Sequence, residues 1–205
     1  MDEEPRSRRG RPKTLDADKT LNVAMEAYWR SDPADVSINR ICELAGVSKP
    51  ALYREFGGED GLMRAVLDLY AGQVLSEIFG LLDPDRPLSG MLAGLIRFAA
   101  EDPKMQTGCV FYKMRAGKHR LGPQTRARVD ELDAGAVAGF AAYLGARRAA
   151  GDWDGAQTEE AMARYLVEQV GLALMQRAAG EDVAQVRETM VLALSVLGRG
   201  APGFA

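Results

Sequence analysis

Two groups of side chains near the start of this chain have the types and spacing for recognition chemistry. The first is a run of cations, Arg6, Arg8, Arg9, Arg11 and Lys13, with no acid among them. The second spreads over residues 37–54 and comprises Ser37, Arg40, Ser48, Lys49, Tyr53 and Arg54, with Pro50 and Ala51 between them. Guanidinium and ammonium groups beside hydroxyls form charge-assisted hydrogen bonds to phosphate oxygens, and an arginine fork can also engage a guanine edge through two donors. Other chemistry is scarce. His119 is the one histidine, set in a Lys118-His119-Arg120 run without partner ligands or a nucleophile, and is expected to be exposed. Two cysteines, Cys42 and Cys109, are too few for a disulfide framework or a cysteine–histidine metal site. There is no phosphate-gripping glycine loop and no serine–histidine signature, so no catalytic residue, cofactor or metal is expected, and the chain does not read as an enzyme.

Helices must position these groups. Leu21, Ala24, Met25, Tyr28 and Trp29 repeat at three and four and give one apolar stripe that Ser31-Asp32-Pro33 stops. Ser37 is placed to cap a short helix burying Ile38, Ile41, Cys42 and Ala45, and Gly46 supplies the left-handed turn after it. Ser48 caps a second short helix that carries Leu52 and Phe56 inward, and Gly57-Gly58 breaks it. Three short helices, the second and third joined through Ala45-Gly46-Val47, form the pattern of a helix-turn-helix. Cys42 fills the small-residue place where the last two cross and is expected to be structural.

At about 100° per residue, burying Leu52 and Phe56 turns Pro50, Ala51 and Arg54 outward and leaves Lys49 and Tyr53 on the flank. Arg54 is the candidate for a base edge, and Pro50 and Ala51 for apolar contact such as a thymine methyl. Lys49, Tyr53, Ser37, Ser48 and Arg40 are candidates for phosphate, which sets register without discriminating bases. The basic run at Arg8, Arg9, Arg11 and Lys13 suits the minor groove or the backbone beside it.

A long helix is expected from Glu59, with Leu62, Val66, Leu69, Tyr70, Val74, Ile78 and Leu81 along one stripe. Further helices are expected at about 87–101, 105–117, 123–149, 158–179 and 182–198. No alternating β-branched segment persists between turn signals, so the fold class is all-α. The organisation expected is a flexible basic tail over 1–15, a helix-turn-helix DNA-binding head over 16–60, and a helical body over 61–205.

The 205 residues carry Lys+Arg 26 against Asp+Glu 29, a formal charge of -3. That total argues against a protein that coats nucleic acid, yet a local basic footprint on each head does not depend on it. The amino terminus is charged throughout, with no apolar core of a signal peptide, and stretches such as 134–146 are too short to cross a bilayer. A cytoplasmic location is the expectation.

The run from Lys19 to Leu62, above all Ser37 to Phe56 (SINRICELAGVSKPALYREF), resembles the DNA-binding head of the TetR family of transcriptional regulators. Its specific elements are Ala45-Gly46-Val47-Ser48-Lys49, the Leu52-Tyr53 pair and Phe56. The resemblance implies a homodimer, a C-terminal helical ligand-binding and dimerisation domain, and usually repression. A palindromic operator would be released when a small-molecule effector moves the long fourth helix and changes the separation of the two heads. Family members commonly carry a lysine on DNA phosphate at the start of that helix. Here Glu59-Asp60 stand in its place.

Within the body, Val183, Val186, Met190, Leu194 and Leu197 form a stripe on the last helix, with Val191, Leu192 and Val196 widening it. The helix before it offers Met162, Tyr165, Leu166, Gln169, Val170, Ala173 and Leu174. Both are expected at a dimer surface. Candidate walls of a ligand pocket are Phe98, Cys109, Phe111, Tyr112, Met114, Phe140, Tyr143 and Tyr165, with Arg115 or Gln169 able to orient a polar ligand. Two alternatives stand beside this reading: a regulator that senses oxidants or electrophiles through Cys109, aided by Lys113 or Lys104, and a helical interaction module without DNA binding.

Overall fold

The computed structural model describes residues 15–197, and the expected basic contacts Arg8, Arg9, Arg11 and Lys13 lie outside the described residues. Every element among the described residues is helical, and no helix among them is long and apolar enough to cross a membrane.

Three short helices build the head. In α1 (Ala17–Arg30), Asp16 caps the first turn by accepting from the Lys19 amide, and Ala24, Met25 and Tyr28 point inward. In α2 (Ile38–Ala45), Ser37 accepts from the Arg40 amide. Its carboxyl end closes on Gly46 at φ 68°, with the Val47 amide donating to Cys42 O and the Gly46 amide to Glu43 O. Only glycine takes that left-handed conformation without strain, and the paired bonds satisfy carbonyls that the helix end leaves open. In α3 (Lys49–Phe56), Ser48 accepts from the Ala51 amide. Ile41 and Leu52 are fully buried in the head, where α2 packs against both α1 and α3. Burial of that kind contributes about 1.5–3 kcal/mol per side chain.

The body begins with α4 (Glu59–Tyr70). Gly61 lets its first turn pass under the end of α3, because a Cβ there would sit 1.8 Å from Phe56 O. The expected single long helix is instead two α segments, α4 and α5 (Ser76–Phe79), joined by a π-helical turn over Ala71–Leu75. The helix α6 (Leu88–Ile96) runs into a second π turn, Arg97–Glu101, before Asp102-Pro103 ends it.

The expected helix over 105–117 is corrected. Pro103–Thr107 is a 3-10 turn, Gly108 takes φ 80°, and only Val110–Ala116 forms α7. The break is held from outside the segment. The Trp29 indole donates to Gly108 O (2.8 Å), and a Cβ on Gly108 would lie 2.8 Å from the side chain of Ala178.

Three helices complete the chain: α8 (Pro123–Ala149), α9 (Glu159–Ala178) and α10 (Val183–Leu194), the last continuing as a 3-10 turn to Leu197. Thr158 and Asp182 cap the last two helices. The helix α9 packs against both α8 and α10, and α4 packs against both α8 and α1. Buried residues run in one cluster from Ile41 and Leu52 in the head, through Tyr28 and Tyr70, to Leu92, Leu144 and Leu166 in the body.

Candidate nucleic-acid interface

On α3, Leu52 is fully buried and Phe56 half-buried, so the opposite face is set by helix geometry. Lys49, Pro50, Tyr53 and Arg54 are exposed there, and Ala51 is half-buried at the edge. The Lys49 ammonium lies 5.6 Å from the centre of the Tyr53 ring, so the two flank residues form one amphipathic surface. That ring leans over Gly58, whose φ of 117° begins α4. Arg54 makes no ion pair or side-chain hydrogen bond among the described residues, which leaves its guanidinium fork open.

Ser37, Arg40 and Ser48 are exposed as well. Both serine oxygens are occupied as caps, accepting from the Arg40 amide (3.2 Å) and the Ala51 amide (3.3 Å). Each hydroxyl keeps its proton to donate. Arg40 pairs with Glu43 at 3.3 Å, a contact between two exposed side chains that contributes at most about 1 kcal/mol and yields readily to a phosphate. Ser37 and Ser48 mark the amino ends of α2 and α3, where free amides and the helix dipole favour an anion. These groups have the chemistry of phosphate contacts, and the open fork of Arg54 that of a base-edge contact.

The acid pair at the start of α4 divides. Glu59 is exposed, whereas Asp60 turns into the body and accepts from the amides of Gln124 (2.9 Å) and Thr125 (3.0 Å) and from the Thr125 hydroxyl (2.6 Å). Burial works to raise the Asp60 pKa, but the Thr125 hydroxyl, the two amides and Arg126 outweigh it and hold the carboxyl below its ordinary value. Only Glu59 is left to oppose a phosphate there.

Three further ties join head to body, and sequence reading missed them. Lys113 donates to Trp29 O (2.5 Å), Trp29 donates to Gly108 O, and Arg120 pairs with Asp32 (3.4 Å) and Asp35. For the Asp60 contact the one local signal was Gly122-Pro123, a helix start with no side chain of its own to cap it, which asks for a cap from elsewhere.

Only three of the candidate pocket walls converge. Phe111, Tyr112 and Phe140 line a cavity of about 30 Å³ together with Leu75, Ile78 and Phe79. That is space for about one water and not for an effector. Phe98 is buried in the second π turn, and Met114 is buried in α7. The Tyr143 hydroxyl donates to Arg86 O, ahead of α6, and the Tyr165 hydroxyl to Ala193 O on α10. The Tyr112 hydroxyl donates to Val167 O, with Gly171 leaving the gap its ring fills. Arg115, a candidate to orient a ligand, is held between Asp133 (2.8 Å) and Glu168, and Gln169 is half-buried on α9. Cys109 is 1% exposed, and burial pushes its thiol up despite contacts with Tyr70 and the amides of α7. A reactive thiolate needs the opposite environment. Cys42 is half-buried in the helix crossing, and His119 is exposed.

Of the stripe expected at a partner, Val186, Met190, Leu194 and Leu197 are buried in their own protomer, as are Met162, Leu166, Val170, Ala173 and Leu174 of α9. The expectation for these is corrected: packing between neighbouring helices of one chain already covers them. The apolar side chains left in solvent on these helices are Leu172 (47%), Met175 (53%), Val183 (38%), Leu192 (72%) and Val196 (55%).

Residues 21–66 match the family described as bacterial regulatory proteins, tetR family. The chain is 27% identical over 117 residues to the HTH-type transcriptional repressor BdcR of Escherichia coli K12, covering 57% of this chain and 59% of that relative. It is 44% identical over 62 residues to the HTH-type transcriptional repressor ComR of the same organism, 30% of each chain. The match therefore spans less than two thirds of either relative. Among solved structures, a putative TetR-family regulator from Rhodococcus sp. superposes with a TM-score of 0.76 at 17% identity, over 88% of this chain and 97% of that one. The TetR-family regulator CifR, as a cysteine mutant complexed with 26-bp operator DNA, gives 0.75 at 20% identity, over 92% of this chain and all of that one. These likenesses establish the fold, an amino-terminal helix-turn-helix followed by a helical body.

Proposed function

We propose, for a chain that carries the head of the tetR family of bacterial regulatory proteins, that it is a transcriptional repressor binding a palindromic operator in double-stranded DNA as a homodimer. The observation that carries this reading is the outward face of α3, where Arg54 stands unpaired beside Lys49, Pro50 and Tyr53 while Leu52 anchors the helix beneath. Arg54 reads a base edge, and Lys49, Tyr53, Ser37, Ser48 and Arg40 set the register on phosphate. The tail cations Arg8, Arg9, Arg11 and Lys13 add non-specific affinity. Leu172, Met175, Val183, Leu192 and Val196 supply the apolar face on which two copies meet.

Release follows from the body. A small-molecule effector would enlarge the space around Phe111, Tyr112 and Phe140 and displace the α4–α5 rod at its π turn, changing the spacing of the two heads. The regulator and its relatives named as repressors are DNA-binding proteins in this reading, not enzymes.

Selection of bound duplexes from a random pool tests it. An enriched inverted repeat with half-sites about one helical turn or a multiple apart is the expected result. Recovery of no shared sequence at any salt concentration would leave a helical interaction module as the better description.

A further inference from the structure

A cleft of about 480 Å³ opens between the end of α1 and the body, walled by Arg30, Asp32, Thr107, Lys113, Arg177 and Glu181 among others. Its cations are poorly neutralised. Arg177, in the last turn of α9, is 9% exposed. Its Nη1 donates to the backbone oxygen of Glu181 (3.2 Å), its Nε has no acceptor, and it has no ion-pair partner among the described residues. The carbonyl end of α9 offsets part of that charge, as a helix terminus does for a cation in its last turn. Lys113, half-buried, spends one proton on Trp29 O and likewise has no carboxylate in ion-pair contact among the described residues. Among the described residues Arg30 is tied only to Glu26, with both side chains more than half exposed. Against these three stand two acids. Asp32 is drawn away to Arg120 and to the Ala34 amide, and Glu181 is exposed.

Buried charges are ordinarily paired, because an unpaired one loses hydration without compensation. Here two under-neutralised cations line one opening, and the deeper one carries a free donor. We propose that this cleft is a binding site for a small free oxyanion, a phosphate or a carboxylate dianion, held between Arg177 and Lys113 with Arg30 at the rim. The site is separate from the apolar space around Phe111 and Phe140. An anion there bridges the end of α1 in the head to α9 of the body, alongside the ties that Lys113 and Gly108 make to Trp29.

The test uses the full chain in Tris chloride at constant ionic strength, with thermal melting and calorimetry on adding sodium phosphate or sodium malonate. Wild type should bind at least one of the two saturably and melt higher with it. Loss of one charge-assisted contact in Arg177→Met should weaken binding about tenfold or more. Without added oxyanion, Arg177→Met should melt no lower than wild type, since it removes a buried charge and keeps the stem. Arg30→Gln, at an exposed position, should fold regardless and weaken binding several-fold. An equal response of wild type and both variants, or a response reproduced by chloride alone, would overturn the site. A third overturning result is loss of duplex affinity in Arg177→Met with no phosphate or malonate binding to wild type, which would assign these cations to the DNA backbone.

Discussion

Asp60 and Thr125 are joined twice over: the Thr125 amide and hydroxyl both donate to Asp60 Oδ1, and the hydroxyl's one proton is shared with the more distant Asp60 O. With the Gln124 amide on Oδ2, the carboxylate at the start of α4 caps the start of α8. A helix begins with amides that lack intrahelical partners, and Gly122-Pro123 brings no side chain to them. The first turn below the head is thereby fastened to the longest helix of the body, and the negative charge sits where the α8 dipole favours it.

Replacing Asp60 by Ala should destabilise the fold by about 1 kcal/mol, the usual worth of a helix cap. The carboxyl is held below its ordinary value in the folded state, so its contribution is complete above the unfolded pKa, about 3.9 for aspartate, and fades as pH falls through the folded one. Denaturant melts of wild type and Asp60→Asn between neutral pH and pH 3 should converge on the acid side. Curves that stay parallel would show that the carboxylate has no such role.

Gly122 is required for the same contact. A Cβ there would fall 2.3–2.6 Å from the Asp60 carboxyl group, although the φ of -70° suits any residue. Gly122→Ala should therefore push the carboxylate off its donors and cost about as much as losing the cap. The double variant with Asp60→Ala should be little worse than either single one, since both remove one interaction. Additive losses in a double-mutant cycle would separate the two residues.

The head was legible in the sequence because its signals are local. Ser37, Gly46 and Ser48 act on neighbours within four residues, and their caps and turns formed where the spacing placed them. The break at Gly108 was hidden because Trp29 and Ala178, distant in sequence, impose it. Asp60 read as a charge near DNA because a sequence shows its position on α4 and not the uncapped end of α8 beside it. Phe98, Tyr143 and Tyr165 read as pocket walls because aromatic residues at helical spacing look alike whether they line a space or fill one. Of the outward apolar set, Val183, Leu192 and Val196 were legible on the last helix, while Leu172 and Met175 of α9 were missed and the buried members of both stripes were read with them, since both helices carry apolar residues on more than one face.

On α3, Arg54 and Lys49 should separate by role. Arg54→Ala should cost about 1–3 kcal/mol of operator binding and relax selectivity at one base pair. Lys49→Ala should weaken all duplexes alike and reduce the salt slope by about one unit. Deleting residues 1–13 should flatten that slope further, because fewer counterions are released. Binding titrations at several salt concentrations against matched and single-mismatch duplexes distinguish these outcomes, and an Arg54→Ala variant with unaltered base preference would remove it from direct readout.

Leu192 offers the sharpest probe of self-association. At 72% exposed it contributes little to its own protomer, while Val186, Met190 and Leu194 on the buried side of α10 hold the helix in place. A charge at residue 192 should therefore leave the monomer folded and repel a second copy that meets the same patch, since a two-fold interface brings identical surfaces together. Sedimentation should show a dimer for wild type and a folded monomer for Leu192→Glu, and Leu192→Glu with Val196→Glu should extend the effect to higher concentration. Binding to an inverted repeat should then fall far more than binding to one half-site, because only the dimer engages both halves at once. A variant that remains dimeric with native melting would place the interface elsewhere than α9 and α10.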